Sequence, residues 1–333
     1  MASNLFQTAL LKQTQNVPPI WFMRQAGRYH SHYRKLKEKY TFEQLCKSPE
    51  LAAEVAKGPL DEFDFDVAIL FSDILFILEG LGLELKFDPG PKFASYIDAN
   101  NFRNYNDIDK AIDHLKFQSD AIKFTRENIS NSKSLIGFVG GPWTLIRYAF
   151  GKDKLNNDNN KIYFDFLSST LVPLLKKNIK LQLDAGAEIV MIFDSSLYDL
   201  GNSDFKNNYV AILEDISSSF PNKVGYYARG KREEDILSCM KYPFAGFGFD
   251  ASINLENIFK NSKHGFIQGN FDEKLMLLDT DQFKQELQKY TEFMKSIENR
   301  DGWVCGLGHG INKETPEKNV HLFIENIRKE FNL

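Results

Sequence analysis

Two arginines, Arg24 and Arg28, follow the apolar run IWFM at 20–23 and are separated by Gln25, Ala26 and Gly27. A guanidinium is a rigid fork of donors matched to a carboxylate, and a charge-assisted hydrogen bond is worth roughly 1.5–3 kcal/mol net. The small Ala26 and Gly27 would let a ligand approach the backbone. The competing reading is a solvated basic turn continued by Arg34, Lys35, Lys37 and Lys39. Asp73 follows VAILFS and is expected at the tip of a buried strand, a costly place for a lone charge. It is either a ligand group or a structural salt bridge or cap for the helix that ILFILEGL begins. Tyr148, four residues after Thr144, would present its hydroxyl to a ligand carboxylate or to Asp73, or else pack in the core. His309 lies between Gly308 and Gly310, whose lack of side chains permits close approach. Ser195 follows Asp194 without a G-x-S-x-G elbow, which argues against a nucleophile.

Short apolar runs must position these residues. Eight recur: IWFM at 20–23, VAILF at 67–71, LIGFV at 135–139, EIVMIF at 188–193, KVGYY at 223–227, FAGFGF at 244–249, GFIQ at 265–268 and GWVCGL at 302–307. Helical periodicity fills the intervals, as at 49–63, 163–186 and 280–297. Alternating strand and helix predicts a parallel architecture. Polar and glycine residues collect after the runs: Arg24, Asp73, Gly140 and Gly141, Asp194 and Ser195, Gly230, Asp250, Asn270, His309. In a single (β/α)8 TIM-type barrel these strand ends form one mouth. A doubly wound sheet is the alternative, but no G-x-G-x-x-G follows an early strand. Residues 1–333 read as one domain, with no repeat or Pro/Ser-rich linker; KDKLNNDNNK at 152–161 reads as a solvated loop.

Composition narrows the partners. Forty-one basic against forty-five acidic residues give a net charge of −4, so no global positive field favours nucleic acid or an anionic membrane. Cys46, Cys239 and Cys305 are odd in number and far apart, which suits neither a disulfide framework nor a CxxC metal site. A cytoplasmic protein is expected. The N-terminal MASNLFQTALLKQTQ has helical spacing rather than a signal-peptide pattern, and LIGFVGGPWTLI at 135–146 is too short to span a bilayer.

The segment WFMRQAGRY, with a following Y-R, resembles the first signature of the uroporphyrinogen decarboxylase family. GFVGGPWTLIRYAFGK at 137–152 is similar to its G-F-x-G-x-P-x-T-L pattern, and FSDIL, MIFDS, QGNFD and LGHGINKETPEKNV extend the resemblance along most of the chain in order. The resemblance implies removal of carboxyl groups from the four acetate arms of uroporphyrinogen III, with no cofactor and no metal, by a homodimer. It assigns Asp73 to the pyrrole N–H groups at the ring centre and Arg24, Asp73 and Tyr148 to catalysis. Arg24, Gln25, Ala26, Gly27, Arg28, Asp73, Tyr148, Ser195 and His309 would bind substrate, with His309 donating to a propionate or acetate. Three departures stand out: Gly306 where the family commonly has Asn, Ala251 where a tryptophan is often seen, and SLYDLG at 196–201. The rival readings are a corrinoid-type methyltransferase on the same fold, which needs a zinc thiolate site, and a catalytically inactive tetrapyrrole-binding protein.

Overall fold

A computed structural model describes residues 5–88, 90–152, 155 and 160–332. Most of the Asn-rich stretch read as a loop, at 153–154 and 156–159, lies outside the described residues.

Among the described residues nine strands form in chain order: β1 Val67–Ile69, β2 Leu85–Phe87, β3 Pro91–Phe93, β4 Ser134–Gly140, β5 Val190–Asp194, β6 Val224–Ala228, β7 Gly246–Gly248, β8 Phe266–Phe271 and β9 Trp303–Leu307. Seven make one curled parallel sheet in the order β1-β4-β5-β6-β7-β8-β9. Each corresponds to one of the apolar runs. The eighth run, at 20–23, corrects the expectation of eight strands. It makes a single parallel bridge, Ile20 to Cys305, while Asp66 N–H donates to Ile20 O on the β1 side at 3.0 Å. The barrel is therefore not fully closed by strands. Pro18 and Pro19 precede the run and lack N–H donors, which limits how far a ladder can extend there.

Alternation of side chains sorts the apolar residues into two layers. Trp21, Met23, Val67, Ile69, Met191, Phe193, Tyr227, Phe266 and Val304 pack inside the curl, and Phe6 and Ala9 of helix Leu5–Leu10 join them. The larger layer lies between the sheet and the surrounding helices and includes Ile192, Phe247, Cys305 and Leu307. Burying each large apolar side chain contributes roughly 1.5–3 kcal/mol.

The helical periodicity at 49–63 matches helix Pro49–Phe63. Ser48 caps it by accepting from Leu51 N–H, Pro49 occupies its first turn, and Asp64 ends it in a left-handed conformation. The 163–186 pattern is interrupted by a π turn at Leu167–Leu171, just before Pro173 removes an N–H from the ladder. The antiparallel pair β2–β3 was not anticipated, although the intervening D-P-G is a turn signal. Among the described residues no helix is long and apolar enough to cross a membrane.

Candidate active site

The segment that carries Arg24 is tied down from three sides. Asp66 accepts from Ile20 N–H at 2.6 Å and pairs with Arg328 at 2.6 Å. Gln25 is fully buried; its carbonyl oxygen accepts from Phe22 N–H at 3.1 Å and its amide donates to Val67 O at 2.8 Å. Cys305 N–H donates to Pro19 O at 2.8 Å, and Ile311 N–H to Met23 O at 3.0 Å. Arg24 then adopts φ +64°, a left-handed conformation costing a non-glycine residue of order 1 kcal/mol. Its side chain runs over Gly310, where an added Cβ would lie 2.6 Å from Arg24 Cδ. The strained backbone and the bare glycine aim one guanidinium across the mouth. Arg28 is exposed on the same turn.

Asp73 sits three residues beyond Leu70, the last residue bonded to the neighbouring strand, half-buried, and among the described residues it accepts one hydrogen bond, from Leu75 N–H at 2.9 Å. Burial raises its pKa to about 6, against the lowering effects of that bond and of the Arg24 charge. Behind it, Gln118 donates to Ser72 Oγ at 3.0 Å and accepts from Gln182, which also binds both backbone groups of Phe138. A shallow recess beside Asp73, lined by Ile74, Gln118, Phe138 and Asn178, encloses no ligand-sized space. A large ligand would therefore rest on the strand-end face itself.

His309 follows β9, on the other side of the Arg24 segment from Asp73. Its ring stacks on Tyr227 with centroids 6.0 Å apart and a 19° interplanar angle, and Nδ1 lies 3.0 Å from the Tyr227 hydroxyl. Burial, reinforced by the charges of Arg24 and Arg229, pushes its pKa down to about 3, so the ring is neutral across the physiological range.

The structure thus brings Arg24, Asp73 and His309 together, and adds Arg229, which the sequence reading passed over. Arg229 directly follows β6, two residues after the inward-facing Tyr227, and its charge acts on His309, Tyr227 and Glu273. The available signal was a charge at the end of the run KVGYYA. Tyr148 is differently engaged: its hydroxyl accepts from Lys152 Nζ at 3.0 Å and that ammonium lies 4.1 Å from the ring centroid. Ala26 and Gly27 are partly exposed on the Arg24 turn, and Ser195 is partly exposed after β5.

Beside Ser195 lies a carboxylate of the opposite kind. Asp194 is 0 % exposed and accepts from Thr144 N–H at 2.9 Å, Thr144 Oγ1 at 2.7 Å, Tyr226 OH at 3.3 Å and Tyr209 OH. Thr144 Oγ1 in turn accepts from Ser196 N–H at 3.0 Å, fixing the turn that carries Ser195. Gly141 is obligatory here, since a Cβ would lie 2.3 Å from Asp194 Cγ.

The three departures have local explanations. A Cβ at Gly306 would lie 2.3 Å from Gln268 Nε2, so Gln268 fills the space an asparagine would need. Ala251 packs against the LGHG turn, its backbone nitrogen 2.5 Å from where a Gly308 Cβ would stand. In the 196–201 turn, Asp199 accepts from Trp143 Nε1 at 2.8 Å and pairs with Arg147 at 2.7 Å, while Tyr198 OH accepts from Arg147 at 2.8 Å.

The comparisons agree with the layout. The family model described as uroporphyrinogen decarboxylase (URO-D) matches residues 1–330. The chain belongs to the uroporphyrinogen decarboxylase family. Among curated relatives, the uroporphyrinogen decarboxylase of Neorickettsia sennetsu is 33 % identical over 92 % of this chain and 96 % of its own length. That of Orientia tsutsugamushi, strain Ikeda, is 32 % identical over 96 % of both. A methyltransferase from Methanosarcina mazei superposes with a TM-score of 0.81 at 18 % identity, over 100 % of this chain and 99 % of its own. At that identity the likeness shows the fold alone. Among the described residues no thiolate set of the kind a methyltransferase's zinc needs lies at this mouth. Cys305 belongs to the outer layer, between the inward Val304 and the barrel-facing Gly306, and burial holds its thiol protonated. Among the described residues no three His, Cys, Asp or Glu side chains converge as metal ligands.

Proposed function

We propose that the chain is a cofactor-independent carboxy-lyase that converts uroporphyrinogen III to coproporphyrinogen III and four CO2 in porphyrin biosynthesis. The carrying observation is the sparsely satisfied carboxylate of Asp73, which feels Arg24 across a mouth that Arg229 also reaches, with Arg28 exposed on the Arg24 turn. Loss of CO2 from an acetate arm leaves an electron pair that needs a sink, and protonation of the pyrrole carbon makes the ring that sink. The ring becomes cationic in the transition state. A fixed anion stabilises this charge more than the neutral ground state, which lowers the barrier. A proton then replaces CO2 on the arm's methylene carbon and the pyrrole carbon gives up the proton it had taken, so one proton is consumed per CO2 and the product is a methyl group on a neutral ring. Asp73 would lie at the pyrrole N–H groups, while the guanidinium groups hold arm carboxylates in forked pairs.

In this reading residues 1–333 act as one domain, in a cytoplasmic homodimer, with Ser195 and Tyr148 as further arm contacts. Light scattering at micromolar concentration tests the dimer, and a monomer would refute it. The activity is tested anaerobically with purified, metal-stripped protein and uroporphyrinogen III, following the four-carboxylate product by chromatography. Coproporphyrinogen III is the expected product. Folded protein that binds the substrate without releasing CO2 would replace this reading with that of a binding protein.

A further inference from the structure

The Tyr227 hydroxyl has one proton and two neighbours that compete for it. Gly308 O lies at 2.9 Å and His309 Nδ1 at 3.0 Å. A carbonyl oxygen only accepts, so two oxygens at 2.9 Å need a proton between them, and Tyr227 is the sole source. Nδ1 must then be the donor to the Tyr227 oxygen. In a neutral imidazole the other nitrogen is left with its lone pair. Nε2 takes no hydrogen bond among the described residues. The burial and flanking charges that keep the ring neutral support the same assignment.

We propose that Tyr227 locks His309 as the Nδ1–H tautomer, so that Nε2 faces the mouth as a hydrogen-bond acceptor rather than a donor. This reverses the role expected of His309 from family resemblance, since a lone pair repels a carboxylate. Arg24 and Arg229, whose charges reach His309, take the arm anions. Nε2 accepts from a donor on the bound ligand and, resting on the proposed tetrapyrrole reading, leaves the pyrrole N–H groups to Asp73. Tyr227 is thus a positioning residue acting through His309, and its identity follows from the inward register of β6.

Long-range proton–nitrogen correlation of 15N-histidine-labelled protein tests this directly. His309→Asn identifies the resonance among the six histidines. Protonated Nδ1 with bare Nε2 is expected in the ligand-free chain from neutral pH to pH 5.5. Tyr227→Phe, which keeps the stacked ring, should populate the Nε2–H form and raise the KM for uroporphyrinogen III about 3- to 10-fold with a smaller change in kcat. An Nε2–H tautomer in the native chain, or an unchanged tautomer in Tyr227→Phe, overturns the proposal. The tautomer readout needs no substrate, so it survives failure of the decarboxylase reading. With bound porphyrinogen, an unmoved Nε2 resonance would overturn the ligand contact.

Discussion

Asp194 ends β5 and Asp73 stands just past β1 of the same sheet, and burial raises the pKa of each, yet they are built for opposite ends. Asp194 is sealed from solvent and collects four donors from helix Pro142–Phe150, β6 and Tyr209. Its charge is consumed in joining those elements. Asp73 keeps a single backbone donor and an accessible face, with one guanidinium felt across the mouth. A buried carboxylate with all its lone pairs occupied stabilises a fold. One left short of donors carries a free-energy deficit that a ligand can remove. The same contrast separates Arg147, paired with Asp199 and Tyr198, from Arg28, which has no ion pair among the described residues.

The sharpest break in this comparison is expected from Asp194→Asn. It places an N–H2 among donors and should cost about 3–5 kcal/mol of stability, read from urea unfolding midpoints. A loss below 1 kcal/mol would mean the network is ornamental. Asp73→Asn should do the reverse: kcat/KM falls about 10²- to 10³-fold while the melting temperature holds or rises. Near-normal turnover would sink the mechanism. Arg28→Ala should raise KM about 10-fold with little change in kcat, and should flatten the salt dependence of kcat/KM. An unchanged KM would misplace the carboxylate clamp.

The smallest effect expected is on pH dependence. Asp73 must be ionised to act, and its folded pKa is raised to about 6. The activity limb on the acid side of kcat/KM should therefore fall near pH 6 and vanish in Asp73→Asn. For stability the sign is opposite. The native state holds this proton more tightly than the unfolded chain, so the Asp73 contribution is greatest below the ordinary carboxylate range and is lost as pH rises through 6. Thermal melts of wild type and Asp73→Asn at pH 5 and pH 7 check this. The variant should gain relative stability at the higher pH, and a gap that does not change with pH would contradict it.

Much of this was legible in the residues. Seven apolar runs became the seven sheet strands because buried parallel strands need continuous apolar sequence, and the helix at 49–63 was recoverable from its cap and its proline. Arg24, Asp73 and His309 were visible because charge directly after an apolar run has nowhere to go but a strand end. The run at 20–23 misled because pairing depends on what lies beside a strand, and two prolines withhold donors where a ladder would form. Gln25 was expected at the site by resemblance, through its backbone and shape, and its side-chain amide holds Phe22 and Val67 in place.

What the sequence by itself determined was the parallel β/α plan, the family and the residue types at the mouth, since apolar periodicity and local motifs are properties of the chain read in order. Only the tertiary structure decided which carboxylate is satisfied, where Arg229 stands and which way the Tyr227 proton points. Those are questions of donor supply. They are settled by residues 32 to 82 positions apart meeting at strand ends, a distance along the chain that no local pattern encodes.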